Sequence, residues 1–134
     1  MRAVLDPNVV ISGLLSSAGS PAQVLRAWRE GRFEAIDSGL LLAELERALA
    51  YPKLRRRIPH DDATAAIRFL KAGATVVDDP TGPPPAHSED PGDDYLIALA
   101  ADQRAALVSG DRHLLALAQR IPVYSPRDFL ELLG

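Results

Sequence analysis

Four carboxylates carry the chemistry this sequence offers: Asp6, Glu44, Asp94 and Asp111. Each stands just past a predicted strand or within the first turns of a predicted helix. At the carboxyl edge of an open parallel sheet, such positions face the crevice where ligands bind. Unpaired carboxylates drawn together repel, and structure alone gives no reason to hold them so. Oxygen ligands without histidine or cysteine select hard divalent cations, Mg²⁺ or Mn²⁺, one or two of them. The reaction that suits such a site is phosphodiester hydrolysis, in which metal activates water and steadies the attacking and leaving oxygens. Each residue also has a plainer reading. Asp6 or Asn8 caps the first helix, and Asp93 and Asp94 complement a helix dipole. The sequence holds no Ser-His-Asp set, no cysteine nucleophile and no Walker-type glycine loop.

The elements that must position these groups follow from pattern. Ala3-Val4-Leu5 is an apolar run without alternation, as in a strand buried on both faces, and Pro7 ends it. Val9, Val10, Leu14 and Leu15 then keep helical spacing. Ser20-Pro21 opens a helix that Gly31 closes, with Val24, Leu25 and Trp28 on one face, where Trp28 reads as core or partner surface. Phe33–Ile36 is a second strand. Ser38 caps the next helix, whose stripe is Leu41, Leu42, Leu45 and Leu49. That helix ends at Tyr51-Pro52. Another runs from beyond Pro59 to Gly73, and Ala74–Val77 is a short third strand.

From Asp79 to Gly92 a loop rich in proline and acid leads to the apolar helix Tyr95–Ala101, and His87 within it reads as an exposed loop residue. Ala106–Ser109 is a fourth strand, followed by a helix through Leu114, Leu115 and Leu117. Pro122–Tyr124 is a fifth strand. Ser125-Pro126-Arg127-Asp128 opens the last helix as a capping box, which makes Asp128 structural. Five strands alternating with helices predict an α/β fold with a parallel sheet covered on both faces.

At 134 residues the chain suits a single domain, 1–134, and its 47% apolar content fills one core. A net charge of −3 argues against a generally basic nucleic-acid-binding surface. The lack of cysteine excludes disulfides and thiolate metal sites and fits the cytoplasm. No apolar run approaches a membrane span, and Asp6 is unlike a signal-peptide start. Lys53-Leu54-Arg55-Arg56-Arg57 is the single dense basic run. It reads either as a solvated face or as a contact of Arg55, Arg56 and Arg57 with an RNA backbone.

Four segments in order and spacing resemble the PIN-domain ribonucleases: Leu5-Asp6-Pro7-Asn8-Val9-Val10, Leu41-Leu42-Ala43-Glu44-Leu45, Asp90-Pro91-Gly92-Asp93-Asp94 with the helix after it, and Leu107-Val108-Ser109-Gly110-Asp111. The likeness runs nearly end to end. It is greatest to bacterial and archaeal proteins related to the VapC toxins of toxin–antitoxin pairs. The resemblance implies a three-layer α/β/α fold with sheet order 3-2-1-4-5, Mg²⁺- or Mn²⁺-dependent endoribonuclease activity, homodimers, and inhibition by a small antitoxin. It places Asp6, Glu44, Asp94 and Asp111 in the catalytic metal site, with Asp93 as substitute or neighbour and Asn8 and Ser109 as polar support.

Pro7 departs from the family pattern, which has Thr or Ser there. Restoring Thr is expected to raise cleavage if that hydroxyl orients Asp6, unless the fixed φ of proline already preorganises the turn. Pro7 also leaves open a catalytically weak PIN fold that binds RNA or protein. A phosphoacceptor or phosphatase domain using Asp6 as nucleophile would need a lysine after a late strand, and neither Lys53 nor Lys71 has that place. If the four carboxylates converge, Asp94→Asn is expected to stabilise the metal-free protein.

Overall fold

The computed structural model describes residues 1–134 as five strands and eight helices. The strands are β1 (Arg2–Leu5), β2 (Glu34–Ser38), β3 (Thr75–Val77), β4 (Ala106–Val108) and β5 (Val123–Tyr124). All pair in parallel in the order β3-β2-β1-β4-β5, as the family resemblance implied. Parallel pairing demands crossovers, and the helices supply them: α1 (Pro7–Leu15), α2 (Ser20–Arg29), α3 (Gly39–Leu49), α4 (Pro52–Arg55), α5 (His60–Gly73), α6 (Asp94–Asp102), α7 (Arg112–Leu115) and α8 (Pro126–Leu133).

Alternation along the strands sorts the core into two layers. Ala3 and Leu5 of β1, Ala35 of β2 and Val108 of β4 face a larger core shared with α1, α2, α3, α5 and Phe129 of α8. Val4, Ile36, Leu107 and Val123 face the other way, onto Leu96, Ile97 and Leu99 of α6 and Leu114 of α7. Ala3, Val4 and Leu5 are all buried, as the run without alternation required. Trp28 joins the larger core and meets Phe69 edge to face at 5.2 Å.

Several boundaries move by a residue or more. Gly19 rather than Ser20 caps α2. The helix drawn through Leu117 stops at Leu115 and gives way to turns. Ile121-Pro122 must extend into β5, and a residue before proline is disfavoured in helix. Ser38 and Ser125 cap as expected, their hydroxyls accepting from Leu41 N (3.3 Å) and Asp128 N (3.1 Å). With β1 between β2 and β4, the loops that carry Asp6, the start of α3 and Asp111 all leave the same edge of the sheet.

Candidate metal centre

Asp6 follows the last residue of β1 and is 3% exposed. It caps α1 and belongs to the acidic centre at once. Asn8 donates its backbone N–H to Asp6 Oδ1 at 3.0 Å, and Ser109 donates its hydroxyl to Asp6 Oδ2 at 2.8 Å. Ser109 Oγ in turn accepts from Asp111 N at 3.0 Å. One buried hydroxyl therefore ties the turn after β1 to the turn after β4. Asp111 caps α7, its Oδ1 accepting from His113 N at 2.7 Å. Burial pushes the Asp6 carboxyl above its ordinary range. Its bonds to Asn8 and Ser109 oppose that rise, and the charge of Asp111 adds to it.

The adjacent aspartates Asp93 and Asp94 part company. Asp93 ends a 3-10 turn, Pro91–Asp93, that Asp90 caps. Its carboxyl is pushed up to about 6, first by burial and then by the charges of Asp6, Asp90, Asp111 and Asp94. Asp94 opens α6, and its carboxylate is engaged elsewhere. His87 Nδ1 lies 2.8 Å from Oδ2, and Ser88 donates its backbone N–H to Oδ1 at 2.8 Å. The bond to His87 holds Asp94 below the usual carboxylate range; burial opposes it, and the Ser88 N–H adds to it. The structure thus brings Asp6, Asp93 and Asp111 into one electrostatic neighbourhood, and it uses Asp94 to pin the loop before α6. His87, read from sequence as a bare loop residue, is half of that pin.

Glu44 sits on α3, where Arg47 pairs with its Oε1 at 2.5 Å in a largely solvated bridge. Two residues that the sequence reading did not place at the site border the centre. Tyr95 is half-buried, and its phenol is pushed above its ordinary range by burial and by Asp6, Glu44, Asp93 and Asp79. It is therefore a neutral hydrogen-bond donor among carboxylates. Asp79, two residues beyond β3, caps α3 from a neighbouring strand, with Oδ2 accepting from Leu40 N at 3.0 Å. Its Oδ1 is buried and unpartnered. Tyr95 follows Asp94 at the start of an apolar helix, where it reads as core, and Asp79 reaches α3 from beyond β3.

Asn8 lies exposed at the start of α1. Pro7 occupies the first helical position and is buried, and Asp6 takes the extended conformation that precedes proline (φ −53°, ψ 135°). Of the basic run, Arg55 ends α4, and Arg56 and Arg57 lie exposed just past it.

No three Asp, Glu or His side chains form a ready-made ion cage. The donor chemistry nonetheless fits a hard divalent cation. Asp6, Asp93 and Asp111 offer oxygen ligands only, and two of the three carry raised carboxyls that a nearby cation would relieve.

A model of the PIN domain matches residues 2–113 of the chain. The uncharacterized protein MJ1680 of Methanocaldococcus jannaschii is 25% identical over 142 aligned residues, taking in 98% of this chain and 90% of that protein. Among solved structures, PAE2754 from Pyrobaculum aerophilum superposes with a TM-score of 0.65 at 17% identity, covering 99% of this chain and 89% of that one. VapBC2 from Rickettsia felis, solved with a DNA fragment from its promoter, gives 0.62 at 14% identity over 93% of this chain and 98% of that one. The PilT N-terminus domain protein SSO1118 from Sulfolobus solfataricus gives 0.57 at 16%, covering 99% and 93%. The structural likenesses are of fold, and the family match spans most of the sequence: the chain belongs to the PIN-domain family.

Proposed function

We propose that this protein is a Mg²⁺- or Mn²⁺-dependent endoribonuclease that hydrolyses RNA phosphodiester bonds in the cytoplasm. On this reading it is the toxin of a toxin–antitoxin pair, a homodimer restrained by a small antitoxin. The observation that carries the catalytic reading is that the Ser109 hydroxyl ties Asp6 to the turn of Asp111 at the carboxyl edge of the sheet, with Asp93 near enough to feel both charges. The toxin reading draws on family membership and on the fold likeness to VapBC2.

Asp6, Asp93 and Asp111 would hold the metal, with Glu44 at the rim. When bound, such an ion acidifies a water molecule and neutralises charge on the phosphate. The chain's own residues do the positioning. Ser109 and the Asn8 N–H fix both oxygens of Asp6, and Asp94 pins the loop that presents Asp93. Tyr95 offers a phenol O–H that stays protonated beside the carboxylates, suited to a phosphate oxygen.

The direct test is cleavage of single-stranded RNA with and without metal. EDTA should abolish cleavage and millimolar Mn²⁺ or Mg²⁺ should restore it. Equal cleavage in both conditions would overturn the reading. For the toxin assignment, a short neighbouring gene with a DNA-binding N-terminus and a basic or aromatic C-terminal tail should encode a protein that suppresses the activity.

The turn after β1 gives a second test. Each oxygen of Asp6 already has one donor that fixes its orientation, so a further hydroxyl at position 7 should add little. Pro7→Thr should leave cleavage within about threefold and lower stability by ~0.4–1 kcal/mol through a looser unfolded chain. Ser109→Ala removes the link between the two turns and should cost ~10–100-fold in cleavage. A larger loss from Pro7→Thr than from Ser109→Ala would contradict this assignment.

A further inference from the structure

The charge of the chain is divided unevenly. Residues 47–71 hold seven of the 15 Lys and Arg and two of the 18 Asp and Glu, a balance of +5. The remaining residues carry a balance of −8, and residues 72–103 contain no Lys or Arg. The basic segment folds into α4 and α5 against the end of α3, around a cavity of about 420 Å³. Its rim is cationic, formed by Arg55, Arg68 and Lys71 with His60 between them, and its floor is apolar, formed by Leu49, Ala63 and Ile67. One carboxylate, Glu46, enters the rim and pairs with Lys71 at 3.1 Å. Arg55 and Arg68 have no carboxylate partner.

We propose that this cavity is a second nucleic-acid contact, holding one nucleotide of a single-stranded RNA that flanks the bond being cut. The proposal rests on the nuclease reading. Its volume is that of a small-ligand site. An apolar floor beside guanidinium planes suits the π-face of a base, and the cationic rim suits its phosphate. A purely acidic peptide would use the rim and leave the floor unfilled, whereas a nucleotide carries both an anionic and a flat apolar part. The location gives the site its function. Glu44 and Glu46 are two residues apart on α3, and so about 200° apart around its axis. Glu44 borders the acidic centre and Glu46 borders the basic cavity, which lies about 9 Å further along the helix at Ala50. A strand of a few nucleotides crossing the exposed face of α3, over Ala43 and Arg47, therefore spans from its scissile phosphate at the acidic edge to a nucleotide in the basic cavity. The cavity offsets the repulsion an RNA meets at the acidic centre. Of the sequence's basic run, this assigns Arg55 to RNA and adds Arg68 and Lys71.

The test is binding of a short fluorescein-labelled single-stranded RNA, followed by anisotropy in EDTA across a salt series. Arg55→Ala/Arg68→Ala/Lys71→Ala should flatten the slope of log affinity against log salt by about 2, three contacts at ~0.7 each. Arg55→Ala/Arg68→Ala leaves the Lys71–Glu46 pair intact, guarding against a folding defect, and should flatten it by about 1.4. Arg55→Lys/Arg68→Lys should retain the slope and still weaken binding, because the guanidinium planes are lost. An unchanged slope and affinity in both alanine variants would overturn the proposal. So would loss of polyglutamate binding with RNA binding retained, which would mark an acidic protein as the occupant. Hydrolysis of bis(p-nitrophenyl) phosphate with Mn²⁺ keeps the two readings separate. That substrate is too small to span both sites, so the triple variant should match the parent. If the parent hydrolyses neither it nor RNA, the nuclease reading fails, while the salt slopes still judge the cavity.

Discussion

Asp37→Asn should make the protein more stable at pH 7.5 by about 2 kcal/mol, and this gain should vanish below pH 4. Asp37 lies in β2, two residues after Ala35 and so on the same face, toward the larger core. It is 5% exposed, and its Oδ2 is buried without a partner. Burial alone raises its carboxyl from 3.8 to about 6. The unfolded chain loses this proton near pH 4 and the folded chain near pH 6, so folding takes up a proton between them. Stability from this group is thus intact below about pH 4 and falls as pH rises toward 6. Above that the full cost is roughly 3 kcal/mol, of which an Asn amide, itself partly unsatisfied, recovers most. Urea unfolding of parent and variant at pH 3.5 and 7.5 checks this. A variant no more stable than the parent at pH 7.5 would mean that the carboxyl finds a partner.

The frame of the molecule was legible because it rests on local rules. Ala3–Leu5 needed only an unbroken apolar run to be read as a central strand, and Ser38 and Ser125 needed only their hydroxyls to be read as caps. Asp6 and Asp111 were legible for the same reason, since one directly follows β1, the other comes three residues after β4, and each starts a helix. The plainer reading holds at both, since each caps its helix, and the charge of Asp111 reaches Asp6. The end of α7 was misplaced because Leu117 keeps helical spacing while the chain already turns toward Ile121-Pro122. What local rules could not reach was the division of labour between Asp93 and Asp94. Successive residues at a helix start point about 100° apart, and which one turns inward depends on how the loop before them folds. Here His87 and the Ser88 N–H hold Asp94, seven and six residues away. Asp79 was hidden because it caps α3 from beyond β3, which only the pairing of β2 with β3 brings near.

Asp93 and Asp94 should accordingly respond to the same substitution with opposite signs, although sequence alone pointed to Asp94 as the destabilised carboxylate. In metal-free buffer at neutral pH, Asp93→Asn removes a repelled charge and should raise stability by on the order of 1 kcal/mol after allowance for solvent screening. Because the Asp93 carboxyl is raised to about 6, that gain should be present above pH 6 and absent below about 4. Asp94→Asn weakens the acceptors for His87 and Ser88 and should lower stability by ~1 kcal/mol or more under the same conditions. Because Asp94 is held below the usual carboxylate range, that loss should be present above about pH 4 and fade at lower pH. Millimolar Mn²⁺ should reverse the advantage of Asp93→Asn, since the parent gains binding energy that the variant lacks. Metal-supported RNA cleavage should fall by more than ~100-fold in Asp93→Asn, and by less in Asp94→Asn, where the loss passes through a displaced loop. The decisive measurement is the paired melting of both variants and the parent in EDTA and in Mn²⁺. A variant Asp93→Asn that melts above the parent in EDTA and below it in Mn²⁺, beside an Asp94→Asn that melts below it in both, is the result this site predicts. An Asp93→Asn that melts below the parent in both buffers and still cuts RNA would contradict it.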